Sequence, residues 1–210
     1  MVALTEKIVT SSENEIKYYS PEEYLILEEK AETKHEYHNG EIIEMAGATI
    51  NHNRISGNIY AHLNFFLREK EKEVFMSDVK VYIPEYKIYT YPDVMIVADK
   101  PVYQEKSKSA ILNPVIIIEV LSLSTQDYDR GQKFKYYRSV ESLQEYILID
   151  QYQYGIEQFA KNEQQKWVLT EYKKLEENLL LESMGWEIPL TDIYQRVEFS
   201  SKSEDAKNNG

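Results

Sequence analysis

Cysteine is absent from this chain of 210 residues. Disulfide bonds, zinc sites with thiolate ligands and cysteine nucleophiles are therefore excluded. No apolar run approaches the roughly 20 residues that a membrane-spanning helix needs. No early stretch combines a basic start, an apolar block and a small-residue cleavage site, so no secretory signal is expected. The sequence predicts a cytoplasmic protein that contacts no membrane.

An excess of positive charge is also missing, since the formal net charge is −12. Such a balance argues against nucleic acid as a partner. The charge is unevenly distributed, however: residues 1–45 and residues 141–210 each carry a net −7. Residues 46–140 hold 13 basic and 11 acidic side chains, a net charge of +2. The middle of the chain therefore permits a polyanionic partner without indicating one.

The chain contains no internal repeat, linker or low-complexity block. We expect one domain over residues 20–197, preceded by a flexible N-terminal arm (1–19) and followed by a disordered tail (198–210). The arm lacks hydrophobic periodicity, and the tail has no means of burying apolar area. Helical and strand patterns alternate along the domain. They predict the α/β class, with a central mixed sheet flanked by helices.

Local signals define the first half of the domain. Ser20 is predicted to cap a short helix, with Pro and then Glu in its first turn. The Asn39-Gly40 pair lies between two extended runs and predicts a β-hairpin. Apolar residues at three-to-four spacing predict a helix from about His52 to Glu69.

The second half of the sheet begins with two predicted strands, residues 73–84 and 91–99, before a loop. The run PVIIIEVL (114–121) is almost continuously apolar, as in a central strand covered on both faces. Ser124 is predicted to start a helix that extends to about Ser139. Further strands are predicted at residues 145–150, 155–161 and 167–172.

Glu119 is the one carboxylate in the run PVIIIEVL. An ionised group among isoleucine and valine side chains is costly unless something compensates it. Side chains alternate across a strand, so Ile117, Glu119 and Leu121 point to one face. Asp93 opens its own apolar run directly after Pro92. If the two strands are neighbours, Asp93 and Glu119 converge at one edge of the sheet.

Two carboxylates in a poorly solvated cleft repel each other, unless one takes up a proton or a cation joins them. A small set of hard oxygen ligands suits Mg²⁺, with Mn²⁺ as a possible substitute. On the following helix, Asp129 and Lys133 are four residues apart and share a face. Lys133 can then orient a metal-bound water or stabilise charge on a phosphate, with Asp129 holding it in place.

Each of these residues also has a purely structural interpretation. Glu119 and Lys133 can form an ion pair that only stabilises the fold. His52, at a helix start, is predicted to cap or pack rather than act as a base. Glu36 and Glu44 flank the hairpin and are predicted to be solvated.

Taken together, the segments YPDVMIV, PVIIIEVLSLST, DRGQKFKYYR and EYILID resemble the Uma-type restriction endonuclease family, a branch of the PD-(D/E)xK nuclease superfamily. The resemblance extends over roughly residues 20–195. It includes the EYHNGEIIEMAG hairpin and His52. It implies a restriction-endonuclease-like core and metal-dependent hydrolysis of phosphodiester bonds in DNA.

Carried over residue by residue, Pro92-Asp93 matches the PD element and Glu119 matches the acidic (D/E) position. The chain departs from the superfamily pattern at Leu121, where the lysine is expected. In this branch the lysine comes from the following helix, and Lys133 stands at the matching place. The resemblance also implies a homodimer, because cutting both strands of a duplex needs two sites. The alternative is a nuclease-fold module that binds DNA or a protein and does not cleave.

Overall fold

In the computed structural model, residues 17–105, 107 and 109–199 are described. Two mixed sheets dominate the fold. The strands are β1 (His35–His38), β2 (Glu41–Glu44), β3 (Lys72–Met76), β4 (Lys80–Ile83), β5 (Ile88–Thr90), β6 (Val94–Ala98), β7 (Ala110–Ile111), β8 (Pro114–Leu121), β9 (Glu145–Asp150), β10 (Ile156–Lys161), β11 (Trp167–Tyr172), β12 (Asn178–Leu181) and β13 (Trp186–Pro189). The larger sheet has the order β11-β10-β9-β8-β6-β3, the smaller has the order β2-β1-β5-β4-β7, and β12 pairs with β13.

Helices lie on both sides of the larger sheet, and the first helix packs against the smaller sheet. They are α1 (Pro21–Glu28), α2 (Ile50–Leu67), α3 (Gln126–Tyr128), a π-helical turn (Asp129–Lys133), α4 (Phe134–Tyr137) and α5 (Leu190–Ile193). The predicted α/β class, with helices flanking a mixed sheet, is confirmed. Within the described residues, no helix combines the length and the apolar character that crossing a bilayer requires.

The predicted N-terminal elements are confirmed. The Ser20 side chain accepts a hydrogen bond from the Glu23 backbone N–H, and the Glu23 carboxylate accepts one from the Ser20 backbone N–H, so the capping box is complete. The hairpin turns at Asn39 and Gly40, whose φ angles of 46° and 115° lie in the left-handed region. The proposed N-terminal arm and C-terminal tail lie mostly outside the described residues.

Strand β8 lies inside the larger sheet, antiparallel to β6 and parallel to β9. Its two faces pack against different layers, as the alternation of its side chains predicted. Ile116, Ile118 and Val120 join the core beneath α2. Ile117 and Leu121 join a second core, which includes β4 and the helix after β8. Glu119 therefore lies on the face that this helix covers.

Two local predictions were wrong. Residues 73–84 form two strands in different sheets, because Ser77 adopts a φ of 55° and ends the extended run after Met76. The helix after β8 begins after Thr125, with no side-chain cap, and not at Ser124. The Ser124 hydroxyl instead lies 3.0 Å from the Ser122 hydroxyl. The strand β5, between the turn at Lys87 and Asp93, was not predicted.

Candidate active site

Asp93 directly precedes β6, and Glu119 lies on the neighbouring strand β8. The antiparallel register pairs Val94 with Ile118, so the next position outward sets Asp93 opposite Glu119. The backbone N–H of Val120 donates a hydrogen bond of 2.7 Å to Asp93 Oδ2. The structure therefore brings the two predicted carboxylates to one edge of the buried sheet, with Asp93 held against the backbone of β8.

Glu119 is almost fully buried, and two groups from the following helix reach the same oxygen. Lys133 Nζ lies 2.8 Å from Glu119 Oε1. The Tyr137 hydroxyl donates a hydrogen bond of 3.0 Å to Oε1 as well. The compensation that a carboxylate in an apolar strand requires thus comes from one ammonium and one phenol.

The π-helical turn places Lys133 and Asp129 in the interior. Both side chains are buried, and Lys133 Nζ lies 3.6 Å from Asp129 Oδ1. The wider turn interrupts the regular helical hydrogen-bond pattern, and the Tyr146 hydroxyl donates to the Asp129 backbone carbonyl at 3.0 Å. Such turns occur frequently at functional sites. No feature of the sequence indicated it.

Glu36, on β1, was predicted to be solvated, and this was wrong. Its side chain is 12% exposed, and Glu36 Oε1 lies 3.9 Å from Lys133 Nζ. The Thr90 hydroxyl donates a hydrogen bond to Oε1, and His38 Nε2 lies 2.9 Å from Oε2. The hairpin was recognised, but alternation alone did not reveal that Glu36 faces the core. Glu44, on β2, is exposed as predicted.

His52 reaches the site from the first turn of α2. Its Nε2 lies 3.1 Å from Asp93 Oδ2. The Thr49 side chain caps the helix by accepting from the His52 backbone N–H. His52 therefore does not cap the helix, which was one of the two structural roles predicted for it, and its imidazole lies beside a candidate metal ligand.

The charges of the site do not balance. Lys133 lies within 4 Å of the carboxyl groups of Glu36, Glu119 and Asp129, and Asp93 adds a fourth carboxyl group. Burial raises the pKa of Glu119, and nearby Asp93 and Asp129 add to this rise, while Lys133 opposes it. Burial lowers the pKa of Lys133, but the surrounding carboxylates outweigh it and hold the pKa well above its usual value. The excess negative charge favours binding of a further cation.

The donor atoms fit a hard divalent ion. Asp93 and Glu119 supply carboxylate oxygens, and Mg²⁺ typically binds proteins through one or two carboxylates while keeping several waters. In the part of the chain that the structure describes, no group of three or more His, Cys, Asp or Glu side chains could hold a metal ion. The remaining ligands would be water and substrate oxygens.

Comparisons with known proteins identify the family of this chain. The model of a family described as "Uma2: Putative restriction endonuclease" matches residues 21–191. "Uncharacterized protein sll1609" of Synechocystis sp. is 42% identical over 171 residues, which cover 81% of this chain and 91% of the relative. "Uncharacterized protein slr1290" of the same organism is 36% identical over 180 residues, which cover 86% and 93%.

A solved structure has a similar fold. It is described as "a putative nuclease belonging to DUF820" from Anabaena variabilis, with a TM-score of 0.69 and 16% sequence identity. The alignment covers 84% of this chain and 97% of that chain. The likeness confirms the predicted nuclease-like fold, and the family match supports a nuclease function. The chain belongs to the Uma2 restriction endonuclease family.

Proposed function

We propose that this chain is a Mg²⁺-dependent DNA endonuclease that hydrolyses phosphodiester bonds and accepts Mn²⁺ in place of Mg²⁺. The observation that carries the proposal is that Asp93, at the start of β6, lies opposite Glu119 on the adjacent strand β8, with Lys133 Nζ 2.8 Å from Glu119 Oε1. Family membership supports the same reaction class. Residues 20–197 then form a single nuclease domain.

Asp93 and Glu119 would hold the metal ion. When bound, the ion supplies Lewis acidity and lowers the pKa of a water molecule. The Val120 N–H fixes Asp93 through Oδ2, and His52 lies at the same oxygen. We assign His52 a supporting role, in which it orients Asp93 toward the ion.

Lys133 is the cation beside the reacting groups. Its ammonium can orient the attacking water or stabilise negative charge on the phosphate. Asp129 Oδ1 and Glu36 Oε1 lie 3.6 Å and 3.9 Å from Nζ and restrain the long side chain. The π-helical turn and the hairpin thus hold the lysine in place. The superfamily pattern would instead supply a lysine from the strand, at the position that Leu121 occupies here.

DNA is the proposed substrate, and cutting both strands of a duplex calls for two sites. We therefore propose a homodimer with two-fold symmetry. Analytical ultracentrifugation of the purified chain measures this directly. A monomer at all protein concentrations would contradict the dimer without affecting single-strand cleavage.

The test is incubation of the purified protein with supercoiled plasmid and linear DNA, with Mg²⁺, with Mn²⁺ and with EDTA. We expect cleavage with either metal, none with EDTA, and none by Asp93→Ala. Asp78→Ala is a matched control, because Asp78 is 84% exposed and binds only Lys34 in the described structure. Cleavage by Asp93→Ala equal to that of the wild type would overturn the proposal.

A second candidate is a nuclease-fold module that no longer cleaves. The observation that favours it is that Lys133 and Tyr137 already occupy Glu119 Oε1. Calorimetric titration with Mn²⁺ separates the two functions. Binding that is lost in Glu119→Gln supports the enzyme, whereas no binding by the wild type supports the module.

A further inference from the structure

Three segments adjoin the candidate site at the edge of the larger sheet. They are residues 49–52 at the start of α2, residues 121–125 after β8 and residues 150–153 after β9, and together we call them the rim. His52 in the first segment lies beside Asp93, and the second segment continues directly from the strand that carries Glu119. The rim therefore adjoins the two carboxylates.

The rim carries the two most exposed large apolar side chains of the described residues. Leu123 is 73% exposed and Ile50 is 72% exposed, and Tyr152 adds an aromatic ring that is 44% exposed. Single exposed apolar residues are common on protein surfaces. Three of them on the rim of one acidic site indicate a surface that contacts apolar parts of the substrate.

Hydrogen bonds join the three segments of the rim to one another. Gln151 is buried, and its amide donates a bond of 2.7 Å to the Leu121 carbonyl. The Thr49 hydroxyl donates to the Gln151 side-chain oxygen. The Tyr152 hydroxyl accepts from the Leu123 backbone N–H at 3.3 Å. The apolar side chains therefore project from a preformed frame, which lowers the entropic cost of binding.

The rim has no lysine or arginine. The arginines nearest to it in sequence, Arg54 and Arg130, lie 3.9 Å and 2.9 Å from the carboxylates of Glu198 and Glu157. Proteins that hold duplex DNA by its phosphates use several free lysines and arginines. The rim instead offers apolar groups, a ring, hydroxyls and amides.

We infer that the rim binds unpaired nucleotides through their base faces, so that the preferred substrate is single-stranded DNA or DNA with unpaired segments. The flat faces of bases are the large apolar surfaces of a nucleic acid, and stacking in a duplex hides them. Aromatic side chains such as that of Tyr152 stack on them with little dependence on sequence, and aliphatic side chains such as those of Ile50 and Leu123 bury apolar area against them. The inference deepens the proposed nuclease function and rests on it for the nature of the substrate.

The experiment measures binding in EDTA, where no cleavage occurs, by fluorescence anisotropy. The probes are a labelled 20-nucleotide oligothymidylate and a blunt duplex of the same length. We expect tighter binding of the single strand, weakened by less than about 10-fold between 50 mM and 200 mM salt, because few phosphates are neutralised. The double variant Ile50→Ser with Leu123→Ser lowers the affinity for the single strand about 10-fold.

Phe65→Ser is the matched control, because Phe65 is 71% exposed but lies near the opposite end of α2 from the rim. It keeps the wild-type affinity. Equal or tighter binding of the duplex, or unchanged single-strand affinity in the double variant, would overturn the inference. Cleavage assays distinguish this failure from that of the nuclease. A protein that cuts duplex DNA without regard to the rim variants remains a nuclease, and one that binds single strands without cutting retains the rim function.

Discussion

Two buried glutamates on adjacent strands have different environments. Glu145, at the start of β9, is fully buried and binds neutral donors: the Gln158 amide at 2.6 Å, the Ser183 N–H at 2.8 Å and the Ser183 hydroxyl. Glu119, on β8, binds the ammonium of Lys133 and the hydroxyl of Tyr137, with a second carboxylate opposite it. Burial alone therefore does not identify a functional carboxylate.

The difference lies in the kind of compensation. The hydrogen bonds to Glu145 satisfy both of its oxygens without bringing in another charge. The contacts of Glu119 join it to a network of four carboxylates and one lysine, which keeps excess negative charge. We interpret Glu145 as a residue that stabilises the fold and Glu119 as a residue of the proposed active site. Four experiments test this contrast.

The largest expected effect separates the two glutamates by activity. Glu119→Gln removes a proposed metal ligand, so plasmid cleavage in Mn²⁺ is expected to fall on the order of 10³-fold. Glu145→Gln, purified in parallel, is expected to cleave within about 3-fold of the wild type, because neutral donors surround that side chain. Equal losses in the two variants would remove the contrast. The measurement is the initial rate of plasmid nicking.

Loss of the cation has the next largest effect. Lys133→Met removes the positive charge that compensates the buried carboxylates. We therefore expect the free energy of unfolding to fall by about 4 kcal/mol at pH 7. Urea denaturation followed by circular dichroism measures this. Mn²⁺ is expected to raise the Tm of this variant more than that of the wild type, since the ion no longer competes with the lysine for Glu119. Wild-type stability in Lys133→Met would contradict the role of the ion pair.

Glu36, whose carboxylate lies 3.9 Å from Lys133 Nζ, allows a pH-dependent test of the same charge network. Burial would raise its pKa, but Lys133 and hydrogen bonds from His38 and Thr90 lower it to about 2, from 4.5. A lowered pKa stabilises the fold above pH 4.5, and this contribution disappears as the pH falls toward 2. The stability difference between wild type and Glu36→Gln is expected to shrink by up to about 3 kcal/mol over that range. A constant difference would show that Glu36 is not held as an anion.

Glu145→Gln is expected to give the smallest change in stability, and the dependence of that change on pH has the opposite sign to that of Glu36→Gln. Burial raises its pKa above 4.5, against the hydrogen bonds from Ser183 and Gln158. Its contribution to stability is then fully present below pH 4.5 and declines as the pH rises through the raised pKa. Denaturation of wild type and Glu145→Gln is expected to give a difference within about 1 kcal/mol at pH 7. The free energy of unfolding of the wild type is expected to rise relative to that of the variant when the pH is lowered to 4.5.

The sequence predicted the elements whose signals are local or periodic. The Asn39-Gly40 turn, the capping box at Ser20 and the apolar run of β8 each carry their own evidence within a few residues. Strand alternation placed Glu119 on the face covered by the following helix, and its burial cost motivated the search for a cation. Asp93 and Lys133 were found in that search, and the structure brings all three together.

The features that the sequence did not predict depend on contacts between distant segments. Glu36 and Glu44 both lie on the hairpin, and only the packing of β1 beside β5 shows that Glu36 is buried near Thr90. The π-helical turn has no pattern that distinguishes it from an α-helix. Glu145 was not singled out, although it adjoins an apolar run as Glu119 does, because its partner Ser183 is 38 residues away.

The lysine on the helix has a consequence for the order in which the site forms. Glu119 and Lys133 are 14 residues apart and belong to different elements, and Glu36 and Asp93 come from two further segments. Short pieces of the chain therefore contain no version of the site. The carboxylates gain the charge of Lys133 only when the helix has docked on β8. The site therefore forms through tertiary contacts that span residues 36–133, and no single helix or strand carries it.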